Sequence, residues 1–97
     1  MKVSVSPRAQ QELIDGAAFY AERADRGLGL TFIAEFEHAR DLLSNNPEIG
    51  AQWRGSIRRL LMRHFPYNVV YQIEPQEVRV IALAPQRRRP GYWVGRS

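Results

Sequence analysis

The side chains best suited to chemistry in this sequence are arginines, which crowd into its second half with two aromatic residues near the C-terminus. Each guanidinium presents a planar fork of N–H donors that matches a carboxylate or a phosphate, and it also stacks on aromatic rings. Such a group of side chains is suited to binding an anionic partner. The predicted partner-binding residues are Arg58, Arg59, Arg63, Arg87, Arg88, Arg89, Tyr92, Trp93 and Arg96.

The net charge of +4 is divided unevenly along the chain. Residues 1–52 hold five basic residues against eight acidic ones, a net charge of −3. Residues 53–97 hold nine arginines against two glutamates, a net charge of +7. A field of this size attracts anionic partners before contact. The alternative interpretation of the same pattern is a basic face that only contacts solvent.

Catalysis at this surface would need a proton acceptor and a proton donor beside the arginines. His64 follows Arg63, whose charge disfavours a protonated imidazole, and His38 is predicted on the solvent side of a helix. Tyr92 has a reference pKa of about 10, so it is better suited to packing than to proton transfer at neutral pH. We therefore assign no catalytic residue and do not expect an enzyme.

The sequence offers no recognisable site for a metal or a cofactor. Cysteine is absent, and the two histidines and scattered acidic residues have no metal-ligand spacing. The chain also lacks a glycine-rich phosphate loop, a helix-turn-helix pattern and a zinc finger. We expect no metal and no cofactor, while direct binding of nucleic acid by arginine-rich strands stays open as an alternative.

Length and composition predict one folded domain over residues 1–97. The hydrophobic share of 44% supports a single modest core. The N-terminus lacks the apolar segment of a signal peptide, and no apolar run approaches the ~20 residues of a membrane helix. We expect a soluble, cytoplasmic protein.

Two amphipathic helices are predicted in the first half of the chain. Ser6 is expected to cap the first helix, with Pro7 at its first position, where a missing N–H is tolerated. Residues 26–29, which include two glycines, are expected to end this helix and turn the chain. The second helix is expected to stop before Pro47, because proline pushes the preceding residue out of the α region. The apolar stripes are Ala9, Leu13, Ala17, Tyr20 and Ala24 on the first helix and Phe32, Phe36, Ala39 and Leu43 on the second.

Four strands are predicted around these helices. A short strand covers residues 2–5, and three more cover residues 57–65, 67–73 and 77–84, joined by short turns that favour an antiparallel meander. Residues 48–55 are expected to form a loop. The predicted class is α+β, in the order β-α-α-β-β-β, with a two-helix hairpin packed on a small, mainly antiparallel sheet.

Four short motifs follow one another along nearly the whole chain. They are Ser6-Pro7-x-Ala9, Asn46-Pro47-x-Ile49-Gly50, Arg58-Arg59-Leu60 followed by Phe65-Pro66-Tyr67-x-Val69-x-Tyr71, and Arg87-Arg88-x-Pro90-x-Tyr92-Trp93. Their order and spacing together resemble the RelE/ParE superfamily of bacterial toxins. The Phe-Pro-Tyr turn and the arginine-rich ending resemble the ParE branch in particular.

The resemblance implies a toxin of a type II toxin–antitoxin pair. A ParE-like toxin would inhibit DNA gyrase by protein–protein binding and would be neutralised by a ParD-like or related antitoxin in a hetero-oligomer. The alternative within the superfamily is a ribosome-dependent mRNA endoribonuclease of RelE type. This chain departs from the superfamily at Pro85, where a histidine is common, and proline can neither transfer a proton nor donate a hydrogen bond.

Overall fold

This computed structural model describes residues 1–87 and 91–96. Two helices cover one face of a five-stranded sheet. Across the sheet the strands follow the order β1-β5-β4-β3-β2, with β1 parallel to β5 and every other pair antiparallel. The predicted α+β class is confirmed. The elements are β1 (Lys2–Val5), α1 (Pro7–Arg23), α2 (Arg26–Asn45), β2 (Ala51–Arg54), β3 (Ile57–Leu61), β4 (Tyr67–Ile73) and β5 (Glu77–Pro85).

Strand β2 was not predicted, and its residues were expected to lie in a loop. It is a four-residue edge strand paired with β3, and its register shifts between Gln52 and Arg54. A strand this short, with a shifted register and mostly exposed residues, shows no alternation of apolar and polar side chains. The sequence pattern therefore carried too little signal to find it.

Strand β3 is shorter than predicted, because it ends at Leu61 instead of continuing to residue 65. Residues 62–66 form a loop, closed by a 2.9 Å hydrogen bond from the Met62 amide to the Tyr67 carbonyl. His64 has a φ of 66° in this loop, in the left-handed region that a strand does not use. The predicted turn at the proline is thus part of a longer connection.

The boundary between the helices also differs from the prediction. Helix α1 ends at Arg23, and both glycines of residues 26–29 lie inside α2. Asp25 caps α2, since its side chain accepts a 2.9 Å hydrogen bond from the Leu28 amide. Gly29 is a packing residue, because a Cβ there would lie 2.7 Å from the Ala17 carbonyl oxygen of α1. The predicted turn at residues 26–29 is therefore wrong, because Gly29 permits close helix packing and Gly27 is an exposed residue of the first turn of α2.

The main core lies between the helices and the sheet, as the apolar stripes predicted. Ser6 caps α1 as expected, accepting a hydrogen bond from the Ala9 amide at 3.2 Å. Gly16 of α1 lies directly against the ring of Phe32, because a Cβ there would be 2.6 Å from a ring carbon. The most deeply buried residues of this core are Ala9, Phe32, Phe36, Leu43, Val69, Tyr71, Val78, Val80 and Leu83.

A second, smaller core lies on the opposite face of the sheet, which we call the open face. The β4–β5 register shifts so that Val70 pairs with Ala82 while Tyr71 pairs with Val80, leaving one extra residue in β5. This bulge changes which residues of β5 face the helices. The C-terminal segment, residues 91–96, covers part of the open face. The second core contains Val70, Ile81, Ala82, Ala84 and Trp93.

Candidate functional site

The strand register decides which arginines of β3 reach the open face. Arg59 pairs with Val70, which belongs to the open-face core, and paired residues lie on the same face of a sheet. Arg58 pairs with Tyr71 and therefore lies on the helix side. The sequence alone could not assign these faces, because neither alternate set of β3 residues is apolar.

A cleft of about 340 Å³ lies on the open face beside the C-terminal segment. Arg59 lines this cleft and is exposed, and within the described residues no carboxylate lies at ion-pair distance from it. The described lining contains neither a histidine nor an acidic residue. It consists of Trp53, Arg59, Leu61, Asn68, Val70, Ala84, Pro85, Gln86, Gly91, Tyr92 and Trp93. An arginine without an acidic neighbour makes the cleft suitable for an anionic group.

Arg58 is bonded within the fold. Its Nη1 donates to the carbonyl oxygens of Glu48 and Gly50, at 3.2 and 2.9 Å. The same loop is held by Tyr71, whose hydroxyl donates to the Pro47 carbonyl at 2.7 Å and accepts from the Gly50 amide at 2.9 Å. Burial raises the pKa of Tyr71 above its usual value of 10.0. These contacts give Arg58 a role in shaping the loop before β2.

Arg63 is paired with Glu35 of α2. Its Nε and Nη2 each donate to one carboxylate oxygen at 3.1 Å. The hydrogen bond from Arg63 is the main cause that lowers the pKa of Glu35 below 4.5, and partial burial opposes it. His64 is exposed, and its Nε2 lies 3.9 Å from Glu35. Both basic residues therefore lie beside α2 and outside the described lining of the open-face cleft.

The C-terminal segment is bound to the fold through its aromatic residues and its last arginine. Trp93 is only 4% exposed, and its ring lies 4.6 Å from that of Trp53. The Tyr92 hydroxyl donates to Glu12 Oε2 at 2.7 Å, and Arg96 Nη1 donates to Glu12 Oε1 at 2.9 Å. All three of these predicted partner-binding residues thus make contacts inside the protein.

Glu12 is a site residue that sequence reasoning did not find. Besides its bonds to the C-terminal segment, its Oε1 accepts a 3.0 Å hydrogen bond from the Leu83 amide of β5. One carboxylate of α1 thereby links the helix, the last strand and the C-terminus. The only sequence signal was its place next to Leu13 of the apolar stripe, which does not distinguish it from other helix glutamates.

The remaining predicted arginines follow β5 in the sequence. Arg87 is exposed and lies close enough to Tyr67 to act on its pKa, which burial raises above 10.0. Arg88 and Arg89 lie outside the described residues. The partner-binding assignment of all nine residues stays a prediction.

Two arginines that the sequence did not single out join Arg59 on the open face. Arg79 of β5 pairs with Gln72 of β4, which in turn pairs with Ile57 of β3. Ile57 is two residues from Arg59 and therefore lies on the same face, so Arg79 lies on the open face too. Arg54 pairs with Ile57, and its guanidinium lies 4.5 Å from the ring centroid of Trp53. We call Arg54, Arg59 and Arg79 the open-face arginines. Strand parity and the β5 bulge bring them together, and neither is visible in the sequence.

Among residues 1–87 and 91–96, no group of three or more His, Cys, Asp or Glu side chains is arranged to hold a metal ion. Neither helix of this part of the chain is long and apolar enough to cross a membrane.

Comparison with known proteins identifies relatives of this fold. The family model described as ParE toxin of type II toxin-antitoxin system, parDE, matches residues 3–90. One solved structure that resembles the chain is titled "Chromosomal ParDE TA system from P. aeruginosa". It superimposes with a TM-score of 0.78 and 14% sequence identity over 88% of this chain and 95% of the other. At that identity the likeness shows the fold alone. No curated protein sequence matches the chain significantly.

Proposed function

The chain belongs to the ParE toxin family of type II toxin–antitoxin systems, and from this premise we propose that it arrests growth by binding DNA gyrase and that a ParD-like antitoxin neutralises it. The observation that carries the proposal is the family match over residues 3–90. Family membership confirms the resemblance derived from the sequence and implies an antitoxin partner. Gyrase as the target and neutralisation by the antitoxin are the proposed steps.

The chemistry of the open face supports inhibition by binding rather than by RNA cleavage. Cleavage by 2′-hydroxyl attack needs general acid–base groups within hydrogen-bond reach of the reacting atoms. The described lining of the cleft supplies Arg59 and the amides of Asn68 and Gln86 but no histidine or carboxylate. Pro85 lines the same cleft where the superfamily commonly has a histidine. A guanidinium without a proton-transfer partner is suited to holding an anionic surface.

The antitoxin should cover the basic side of the molecule. A disordered segment rich in acidic and apolar residues can wrap a small domain and fold as it binds. Carboxylates of such a segment would pair with Arg59 and Arg87, which are exposed. Apolar anchors would supply most of the affinity, and the exposed Leu61 at the cleft offers them a contact.

A supercoiling assay with purified gyrase tests the proposal. The chain should inhibit supercoiling of relaxed plasmid, Arg59→Gln should inhibit less, and Arg26→Gln should inhibit as the wild type does. Arg26 is an exposed residue of α2, so Arg26→Gln removes the same single charge at a position away from the open face. Adding the cognate antitoxin should restore supercoiling. Normal supercoiling, together with discrete mRNA cleavage sites in primer extension after induced expression, would instead assign the chain to the ribosome-dependent endoribonucleases.

A further inference from the structure

We propose that the open face also binds the phosphodiester backbone of nucleic acid directly, through Arg54, Arg59 and Arg79. This goes beyond the proposed function, because it requires no gyrase and no antitoxin. A failure to bind nucleic acid would leave gyrase inhibition by protein contact untouched.

The first support is the way the arginines are distributed between internal and external roles. In the described part of the second half, Arg58, Arg63 and Arg96 donate to carbonyl or carboxylate oxygens of the protein itself. Within the same part, no carboxylate lies at ion-pair distance from the open-face arginines. Their positive charge is therefore available to a partner, and all of it lies on one side of the sheet.

The second support is the scarcity of acidic residues on this face. Of the strand residues that the register places there, Glu77 is the one carboxylate within the described chain. It lies two residues from Arg79 on β5, accepts a hydrogen bond from the Ser4 hydroxyl and pairs in register with Lys2 of β1, so a basic residue of the same face lies beside it. Around the open-face arginines the potential is consequently positive, and a polyanion would approach without a large repulsive contribution.

The third support is the spacing of the open-face arginines across the sheet. Arg54 and Arg79 belong to one row across β2, β3, β4 and β5, so their backbones lie about 14 Å apart at the usual strand spacing of about 4.8 Å. Arg59 is two residues from this row along β3. Because each nucleic-acid strand carries a phosphate for about every 3.4 Å of duplex axis, such a span meets several phosphates at once.

The surroundings of the row favour phosphates over an acidic protein. Protein interfaces draw most of their affinity from buried apolar anchors. Between Arg54 and Arg79 the row contains the amide of Gln72 and the half-buried Ile57, whereas the exposed Leu61 lies farther along the face, at the cleft. An amide adds N–H donors for phosphate oxygens but offers no apolar anchor.

The test is fluorescence anisotropy of labelled nucleic acid, with duplex DNA, single-stranded DNA and RNA of one sequence as separate probes. The wild-type chain should bind at about 50 mM salt and lose affinity steeply towards about 200 mM. For duplex DNA, the slope of log affinity against log salt should become shallower by about 0.9 for each open-face arginine changed to Gln, hence by about 3 in the triple variant. The relative affinities of the three probes identify which nucleic acid the surface prefers.

A matched control separates local contact from net charge. Arg8, Arg23 and Arg26 are exposed residues of the helices, so changing all three to Gln removes the same charge from the opposite side. This control should keep the wild-type slope, and melting temperatures should show that both triple variants are folded. Equal slopes for the two triple variants would overturn the proposal. So would binding of a polyglutamate peptide as tight as that of DNA, because the face would then recognise negative charge in general and not the phosphodiester backbone.

Discussion

The pairing of Arg63 with Glu35 shows how a single contact gives an arginine a structural role. Nε and Nη2 of the guanidinium each donate to one of the two carboxylate oxygens. Glu35 is largely buried, while Arg63 remains exposed. Bidentate pairs of this kind are stronger than single contacts and fix the geometry. The pair joins the loop after β3 to α2, so it supports the connection that leads into β4.

This pairing makes stability depend on acidic pH in a predictable direction. The folded-state pKa of Glu35 lies below 4.5, so the pairing contributes stability that is fully present above about pH 4.5 and is lost as the pH falls through the folded-state pKa. We expect Glu35→Gln to be less stable than the wild type at pH 7, with the difference closing below about pH 4.5. Urea unfolding at several pH values would measure it.

Glu37→Gln is the matched control for that experiment. Glu37 lies on the same helix and forms an exposed ion pair with Arg40 at 3.5 Å, a kind of contact worth little in water. The stability of Glu37→Gln should equal that of the wild type at every pH. A difference between Glu35→Gln and the wild type that stayed constant from pH 7 to pH 3 would contradict the role given to ionised Glu35.

At the scale of elements, the contact of α1 with α2 depends on two glycines. Gly29 lies against the backbone of Ala17, and Gly16 lies against the ring of Phe32. An added methyl group would force the helices apart unless the packing shifted. Helix propensity alone would favour alanine over glycine by about 1 kcal/mol, so the effect of a substitution shows whether packing outweighs propensity.

We expect Gly29→Ala to destabilise the protein by about 1–3 kcal/mol, because its Cβ would lie 2.7 Å from a backbone oxygen that cannot move alone. Gly27→Ala serves as the control, since Gly27 is exposed and its nearest neighbour is the side chain of Asp25 at 3.0 Å. That variant should stay within about 1 kcal/mol of the wild type. Thermal unfolding compares the two, and a stabilising Gly29→Ala would mean that α1 and α2 can separate without cost.

The C-terminal segment depends on Glu12 in a way that fluorescence can report. The chain has two tryptophans, and the Trp53–Trp93 contact joins β2 to this segment. Glu12→Gln removes the charge that meets Arg96 and weakens the acceptor of the Tyr92 hydroxyl. We expect a loss of about 1–3 kcal/mol and a red shift of tryptophan emission as the segment loosens.

Asp15→Asn is the control for this change, because Asp15 is exposed on the same helix and bonds only to the nearby Gln11 in the described structure. It removes one negative charge without touching the C-terminal segment. An emission spectrum of Glu12→Gln identical to that of the control would show that the tryptophan contact holds the segment without help from the carboxylate.

Much of this architecture follows from the sequence, and the exceptions have physical causes. The sequence pattern identified both helix stripes, because each helix buries one regular face, and it identified β4 and β5 as short, largely apolar runs, which are buried on both faces of the sheet. It missed β2, an edge strand with no buried face, and it placed a turn at residues 26–29, which instead begin α2 and include Gly29 at the helix contact. At the site, composition identified an arginine surface. Which arginines are available depends on strand register and on partners such as Glu12 and Glu35, which lie far away in the chain.

Across the whole molecule, charge is sorted between two sides. Acidic residues of the helices take part in pairing Arg63 and Arg96, while the open-face arginines stay available to a partner. An antitoxin with an acidic, apolar segment is therefore expected to approach from the basic side. Rim charges mainly raise the association rate, whereas buried anchors mainly slow dissociation.

Hydrogen exchange on a reconstituted toxin–antitoxin complex tests this orientation. Amides of β2 and β3 and of residues 91–96 should gain protection, since these elements border the cleft, while the N-terminal part of α1 should change less. Raising the salt concentration should slow association more than it speeds dissociation, because screening weakens long-range attraction first. Arg59→Gln should lower the association rate, and Arg26→Gln on the helix side should leave it unchanged. Protection confined to the two helices would place the antitoxin on the acidic side, and the charge argument for its docking would then be wrong.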